Sequence, residues 1–359
     1  MKIILPLVGS LLLFSLNSFA NITSASIFRE MQSTNPGVIS NRQAATFSVL
    51  AKKDDIKIEQ EDISSIGLPA GSSYESNINV SNYSLFYGGK GKGLTTEFFA
   101  ETGAGGKKDT INEVTSVTEL ETTSKITNAS LGLGIFDGFG ISVLQINGQD
   151  KQQYNATING NPISVDTTTD ISLTGFTVGT AFHFGVDIGL FYQKADFKTK
   201  STAQTAGGGG GDTQSADRIG GGIGISSRSF RAEVGYVKNI KATKSEEGDL
   251  NPAMAEFTLE GTLGKLKLGY TGRYLMDGFF MYKNVLYNVL AYQGNNEARL
   301  ENTFNFSYGS DTKGHSISGS YSVGSVESEQ TQPLISSLPN KFKTITSSTS
   351  MSLSYSYIF

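Results

Sequence analysis

The sequence contains no cysteine, which excludes disulfides, thiol catalysis, cysteine zinc sites and a lipid-anchored lipoprotein. Charge is also scarce: only 17% of residues are charged, the net charge is −4, and no basic run suits a nucleic-acid partner. After residue 20, no stretch approaches the roughly 20 apolar residues that a transmembrane helix needs. What remains is a chain with 42 glycines and abundant Ser, Thr and Asn, in which apolar and polar residues alternate with a period of two.

The N-terminus has the pattern of a secretory signal peptide. Lys2 gives a short basic start, residues 3–14 are apolar, and Ser18 and Ala20 are small residues at the cleavage positions. We therefore expect a signal peptide at residues 1–20 and a mature chain at residues 21–359.

Short turns and longer polar segments alternate along the mature chain. Short turns are expected at residues 88–93, 137–140, 183–185, 226–229, 263–264 and 309–314. Longer polar connections are expected at about 53–76, 102–122, 150–168, 200–217, 243–252, 280–297 and 327–345. Together they would join 14 antiparallel strands of roughly 10 residues, the organisation of an outer-membrane β-barrel. We divide the mature chain into an N-terminal hatch or plug segment (21–41) and a transmembrane barrel (42–359).

A bilayer explains this pattern physically. A strand in hydrocarbon must pair every backbone group, so the sheet has to close, with one face on lipid and the other on the lumen. In residues 185–193, Val186, Ile188 and Leu190 alternate with Asp187 and Gly189 in this way. A soluble β-sandwich also alternates, but the signal peptide and the asymmetry of the connections favour the barrel.

The last nine residues, MSLSYSYIF, form a two-faced strand. We expect Tyr355, Tyr357 and Phe359 to face lipid while the intervening serines face the lumen. Phe359 resembles the terminal aromatic residue that the barrel-assembly machinery recognises, and we expect it to form a C-terminal assembly signal with Tyr355 and Tyr357. The expected partners are therefore outer-membrane lipid and that machinery, and the expected location is the bacterial outer membrane.

A charged hairpin spans residues 255–273. Glu256 and Glu260 share one face of its first strand, and Lys265, Lys267 and Arg273 share one face of its second. Folded about Leu263–Gly264, both charged faces would point into the lumen. Two interpretations stay open: a charged pore wall, or an ion-pair lattice that holds the barrel interior together.

Catalysis has little support. The only two histidines, His183 and His315, lie beside expected turns, and neither has a partner at metal-ligand spacing. We expect no enzyme activity, no cofactor and no metal. Residues 278–292 carry bulky apolar side chains at both odd and even positions, so the stretch has no polar face. This fits either an overlong strand or an apolar surface loop that collects a ligand.

Three segments resemble the FadL-type family of outer-membrane transporters for long-chain fatty acids and other hydrophobic compounds. Residues 33–40 (STNPGVIS), followed by the first strand, resemble the family's plug, which ends in an Asn-Pro-Ala signature. Residues 251–257 with the strand pair that follows, and residues 174–192, resemble two of its hairpins. The resemblance implies a monomeric barrel blocked by an N-terminal hatch, with Asn35, Pro36 and Gly37 as hatch residues. Ligand would enter from outside and leave sideways or through a shift of the hatch.

The chain departs from the family in two respects. Only residues 21–34 of the mature chain precede Asn35, whereas family members usually have a longer plug, and Gly37 stands where the family has alanine.

The hypothesis that follows from the resemblance is facilitated diffusion of hydrophobic small molecules such as long-chain fatty acids. The alternatives are a general water-filled porin, or a non-transporting surface barrel used for adhesion or binding.

Overall fold

The structure is a computed structural model, and it describes residues 35–40, 44–61, 72–91, 94–112, 117–135, 138–158, 161–183, 186–203, 209–227, 229–240, 243–245, 248–250, 253–276, 299–310, 313–332 and 340–359. Residues 21–34, residues 278–292 and the Asn251–Pro252 pair lie outside these ranges. No helix among the described residues is long and apolar enough to cross a membrane.

The described residues form one short helix, α1 (Gly37–Ser40), followed by strands. The strands are β1 (Thr46–Glu61), β2 (Ser73–Lys90), β3 (Leu94–Asn112), β4 (Val117–Ile135), β5 (Phe139–Ile158), β6 (Asn161–His183), β7 (Asp187–Ala203), β8 (Gly209–Ser226), β9 (Phe230–Asn239), β10 (Thr243–Ser245), β11 (Gly248–Leu250), β12 (Ala253–Leu263), β13 (Leu266–Met276), β14 (Arg299–Gly309), β15 (Gly314–Gln332) and β16 (Asn340–Ile358).

Fourteen of these strands close a single antiparallel barrel. Each strand pairs with its neighbours along the chain, except that β9 pairs with β12 and β1 pairs with β16. The last pairing closes the barrel from Thr46↔Ile358 to Glu61↔Lys343, which leaves no free edge. Strands β10 and β11 form a separate two-stranded sheet. The expected 14-strand barrel is confirmed.

All six expected short turns lie between consecutive paired strands. They connect β2 to β3, β4 to β5, β6 to β7, β8 to β9, β12 to β13 and β14 to β15. Short turns therefore gather at one end of the barrel, the end that faces the periplasm in outer-membrane barrels.

Where the structure describes the expected long connections, they are largely strand; residues 280–297 lie outside the described ranges. Strand β5 has 20 residues and β6 has 23, so most of the connection expected at residues 150–168 is a paired ladder. The alternation disappears there because both faces of these extensions are polar, which removes the period-two signal without removing the hydrogen bonds. The extensions also carry their own polar contacts. Tyr74, for example, donates to Asp109 at 2.8 Å, and burial, with Asp109 alongside, raises the pKa of the Tyr74 hydroxyl.

Exposure separates the two faces of the wall. Large apolar side chains are exposed on one parity near the short-turn ends of the strands. Examples are Leu131, Val143, Leu190, Leu268, Phe304 and Leu353. The other parity is mostly buried or half-buried, and in β16 it is serine at positions 350, 352, 354 and 356. The first face has the character of a lipid-facing band, and the second lines the lumen.

Candidate lumenal site

The described part of the N-terminal segment, residues 35–40 (the plug segment), lies against the inner wall. Asn35 is 7% exposed and Pro36 is among the fully buried side chains. The Asn35 side-chain amide Nδ2 donates to the Thr180 carbonyl oxygen of β6 at 2.9 Å. Its Oδ1 accepts from the Gly37 backbone N–H at 3.0 Å, which fixes the start of α1 as an Asx-type turn. The Asn-Pro-Gly sequence thus shapes a compact turn and ties it to the barrel.

Two further contacts tie the other end of the plug segment to the wall. The Thr95 hydroxyl of β3 donates to the Ile39 carbonyl oxygen at 2.7 Å. The Ser40 hydroxyl donates to the Gly37 carbonyl oxygen and accepts from the Gly138 N–H at 2.8 Å. Together with the Asn35 contact, these bonds spread the segment over β3 to β7, close to the short-turn end.

Glycines form the surface on which the plug segment rests. Gly134, Gly140 and Gly179 are consecutive register partners on the inner faces of β4, β5 and β6. A Cβ atom at Gly140 would lie 2.0 Å from the Pro36 carbonyl oxygen, and one at Gly179 would lie 2.1 Å from Asn35 Oδ1. The plug segment therefore packs directly on bare backbone.

Sequence analysis did not single out this glycine row. Its signal was available, since glycine occupied the inward parity of neighbouring strands beside their short turns, where close backbone approach is a common reason for a strand glycine.

The same register row continues as an apolar strip beyond the glycines. Phe191 follows Gly179 across β7, and Val237, Met254 and Leu275 follow on β9, β12 and β13, with Gly220 between Phe191 and Val237. These four side chains form one cluster and are only 2–4% exposed. They were also missed from the sequence, although each has the inward parity of its strand.

The inner face of β1 to β6 is apolar at further positions. Its buried side chains include Ile56, Ile78, Val80, Ile126, Ile146 and Leu173. Ile56 pairs in register with Ile78, and Ile146 pairs with Leu173. The adjoining wall is hydroxyl-rich: Ser318 pairs with Ser354 at 2.6 Å and Ser320 with Ser352 at 2.7 Å between β15 and β16. The inner wall therefore combines apolar and polar patches.

The charged hairpin adds a polar patch to the same inner wall. Glu256 and Glu260 lie on the inward parity of β12 and are 4% and 8% exposed. Arg273 faces Glu256 in register, and its Nε donates to the carboxylate at 2.5 Å. For these two residues the geometry favours the ion-pair interpretation, because both charges are buried and already hydrogen-bonded to each other.

The remaining hairpin residues divide into two groups. Lys267 lies on the inward parity of β13, as expected. Lys265 departs from the expectation: it lies in the turn before β13 and is exposed, because the strand begins only at Leu266. Arg231 of β9, which pairs with Glu233 at 3.1 Å and faces Glu260 in register, extends the same charged surface.

The C-terminal residues lie on the outer face. Tyr355 and Phe359 are 39% and 59% exposed, and the Tyr357 ring contacts His315 with a centroid separation of 4.9 Å. The Phe359 backbone N–H donates to the Ala45 carbonyl oxygen at 3.0 Å, beside the seam between β1 and β16. Recognition of these three aromatics by assembly machinery stays a prediction. Within the described ranges, no group of three or more His, Asp or Glu residues has the arrangement of a metal site.

Solved structures with a similar fold were found, although no family model and no curated protein matches the sequence. One is a FadL homologue of Pseudomonas aeruginosa, 10% identical with a TM-score of 0.55, covering 94% of this chain and 96% of the other. Another is the toluene transporter TodX of Pseudomonas putida, 11% identical with a TM-score of 0.56, covering 94% and 96%.

The toluene transporter TbuX of Ralstonia pickettii is 12% identical with a TM-score of 0.54, covering 92% of this chain and 93% of the other. This chain has the fold of these barrels. At such low identity the likeness concerns architecture, and the cargo has to be argued from the lumen of this chain itself.

Proposed function

We infer that the protein is a bacterial outer-membrane channel for facilitated diffusion of hydrophobic small molecules, with long-chain fatty acids among them. The observation that carries this inference is the apolar strip of Phe191, Val237, Met254 and Leu275 on the inner wall. The interior of a water-filled porin is polar, since its solutes travel with their hydration shells. An apolar inner surface instead lowers the free energy of an apolar solute inside the barrel.

The plug segment gives this channel its hatch. Asn35, Pro36 and Gly37 hold the segment against β3 to β7, next to one end of the apolar strip, because Gly179 and Phe191 are register partners. The strip is only 2–4% exposed, so a solute can bind there only after the groups that cover it move aside, and it would then meet the plug segment directly. We assign no chemical step and no cofactor to the protein, and we expect it to act as a monomer.

Uptake by intact cells tests the proposal. Cells expressing the protein should take up labelled long-chain fatty acid or toluene faster than cells without it. The double variant V237T/M254Q makes the strip polar at nearly constant volume and should reduce uptake several-fold. The matched control V234T changes the neighbouring outward residue of β9 and should leave uptake unchanged.

Planar-bilayer conductance separates this function from that of a general porin. The proposed channel should pass little steady ion current, whereas an open porin passes a large one. Uptake of every tested hydrophobic compound at the rate of cells without the gene would refute the proposal.

A further inference from the structure

A groove of about 840 Å³ lies on the outer face of the barrel, across seven adjacent strands from β15 and β16 through β1 to β5. Its apolar lining includes Val49, Ala51, Leu85, Ala100, Ala129 and Leu353. These residues have the outward parity, so the groove faces away from the lumen. It lies outside the transport path proposed above, and nothing in that function uses it.

Small side chains create the groove. Ala51, Ala100 and Ala129 take up outward positions, and Ala100 and Ala129 are register partners. Larger neighbours such as Tyr83, which is 63% exposed, rise beside them. The ladders between β1, β2, β3 and β4 run without interruption through this region, so the groove is a depression in a closed wall rather than an opening.

One end of the groove is polar and carries positive charge. Thr102, Thr127 and Asn147, which share one register row, line the side directed towards the strand extensions. The next outward register row consists of Lys53, Ser81, Ala104, Lys125 and Gln149. Across these five strands, β1 to β5, the row contains two cations and no acid.

Two acids lie close to this row. Lys53 pairs with Asp55 of the row beyond at 3.0 Å, but the two side chains are 60% and 44% exposed, so the pair is weak and can exchange partners. Asp170 of β6 continues the row past Gln149, to which it is hydrogen-bonded at 3.1 Å. The two lysines, three strands apart, are separated by about 14 Å at the backbone.

We propose that this groove and its lysine row bind a phosphorylated glycolipid of the lipopolysaccharide type from the outer leaflet. An acyl chain fills the apolar groove, and separate phosphate groups of the headgroup contact Lys53 and Lys125. The orientation fits, because the lysines lie towards the long strand ends, which are extracellular in barrels of this kind. An apolar slot below a row of cations matches an amphiphile with acyl chains and an anionic head.

The test uses the full chain purified in mild detergent and titrated with bis-phosphorylated lipid A, with bound lipid measured by native mass spectrometry. The double variant K53Q/K125Q should bind about 30-fold more weakly, which corresponds to about fivefold for each lysine lost. The variant A51L/A129L fills the groove while keeping both charges, and it should also bind at least tenfold more weakly. Dephosphorylated lipid A should bind the wild type as weakly as bis-phosphorylated lipid A binds K53Q/K125Q.

The matched control is K194Q/K238Q, which removes two exposed outward lysines on β7 and β9, away from the groove. It should bind lipid A within twofold of the wild type. An equal loss in the control would show that general surface charge attracts the lipid, and would overturn the site. Unchanged lipid A binding by both K53Q/K125Q and A51L/A129L would also overturn the site. Equal affinity of the wild type for phosphatidylglycerol and for lipid A would do the same. Heat-modifiable gel mobility verifies that every variant is folded.

Discussion

Gly140 is the position at which a single methyl group should release the plug segment. A Cβ atom there would lie 2.0 Å from the Pro36 carbonyl oxygen and 2.4 Å from its carbon, whereas ordinary contacts begin at 3.4 Å. The obstacle is backbone on both sides, so no side-chain rotation relieves it. In Gly140→Ala the segment must therefore retreat from the wall by about 1.4 Å.

Such a retreat breaks the hydrogen bonds between the plug segment and the wall. Three hydrogen bonds would be lost: Asn35 to Thr180, Thr95 to Ile39, and Gly138 to Ser40. At about 1 kcal/mol each, their loss amounts to about 3 kcal/mol. The ratio of docked to undocked segment should then fall by roughly 100-fold.

A cysteine reporter measures this shift without interference, because the chain contains no cysteine. Ile39 is 6% exposed, so the thiol of Ile39→Cys should react slowly with a water-soluble thiol reagent while the segment is docked. Adding Gly140→Ala should raise the reaction rate by one to two orders of magnitude. The matched control is Gly106→Ala, where the added Cβ meets nothing closer than 3.6 Å and the rate should not change.

An unchanged thiol reaction rate in folded Gly140→Ala protein would refute this reasoning. It would mean that the wall yields instead of the segment, and that the glycine row does not hold the plug. A rise in both Gly140→Ala and Gly106→Ala would show a general loosening of the barrel, which also contradicts the prediction.

Two other predictions concern the wall itself. Arg273→Ala removes the ion-pair partner of buried Glu256 and should lower the free energy of unfolding by about 3–5 kcal/mol, whereas E256A/R273A should recover much of that loss. Urea unfolding in lipid vesicles measures both, and equal losses would contradict the ion-pair interpretation. Leu190→Arg places a charge in the outward apolar band and should cost about 2–4 kcal/mol, against about 1 kcal/mol or less for Gln149→Arg on the polar extension of β5. Equal costs in the same assay would contradict the assignment of the lipid-facing band.

Local patterns predicted the barrel well but not its height. The short turns were readable because glycine and polar residues interrupt a strict alternation, and alternation itself exists only where one face meets lipid and the other the lumen. Beyond the band, strands such as β6 continue with polar residues on both faces, and pattern alone could not distinguish them from loops. Lys265 was misplaced for a related reason, since parity says nothing about where a turn ends.

The sequence by itself determined the number of strands and the direction in which each face points, because both depend on neighbouring residues. Only the tertiary structure decided what meets across the barrel. It aligned Gly134, Gly140 and Gly179 beneath the plug segment, and Phe191, Val237, Met254 and Leu275 beside it. It also brought Lys53 and Lys125 into one row above the outer groove. Such rows depend on the register of many strand pairs at once, and a shift of one residue in any pair would turn each side chain to the other face.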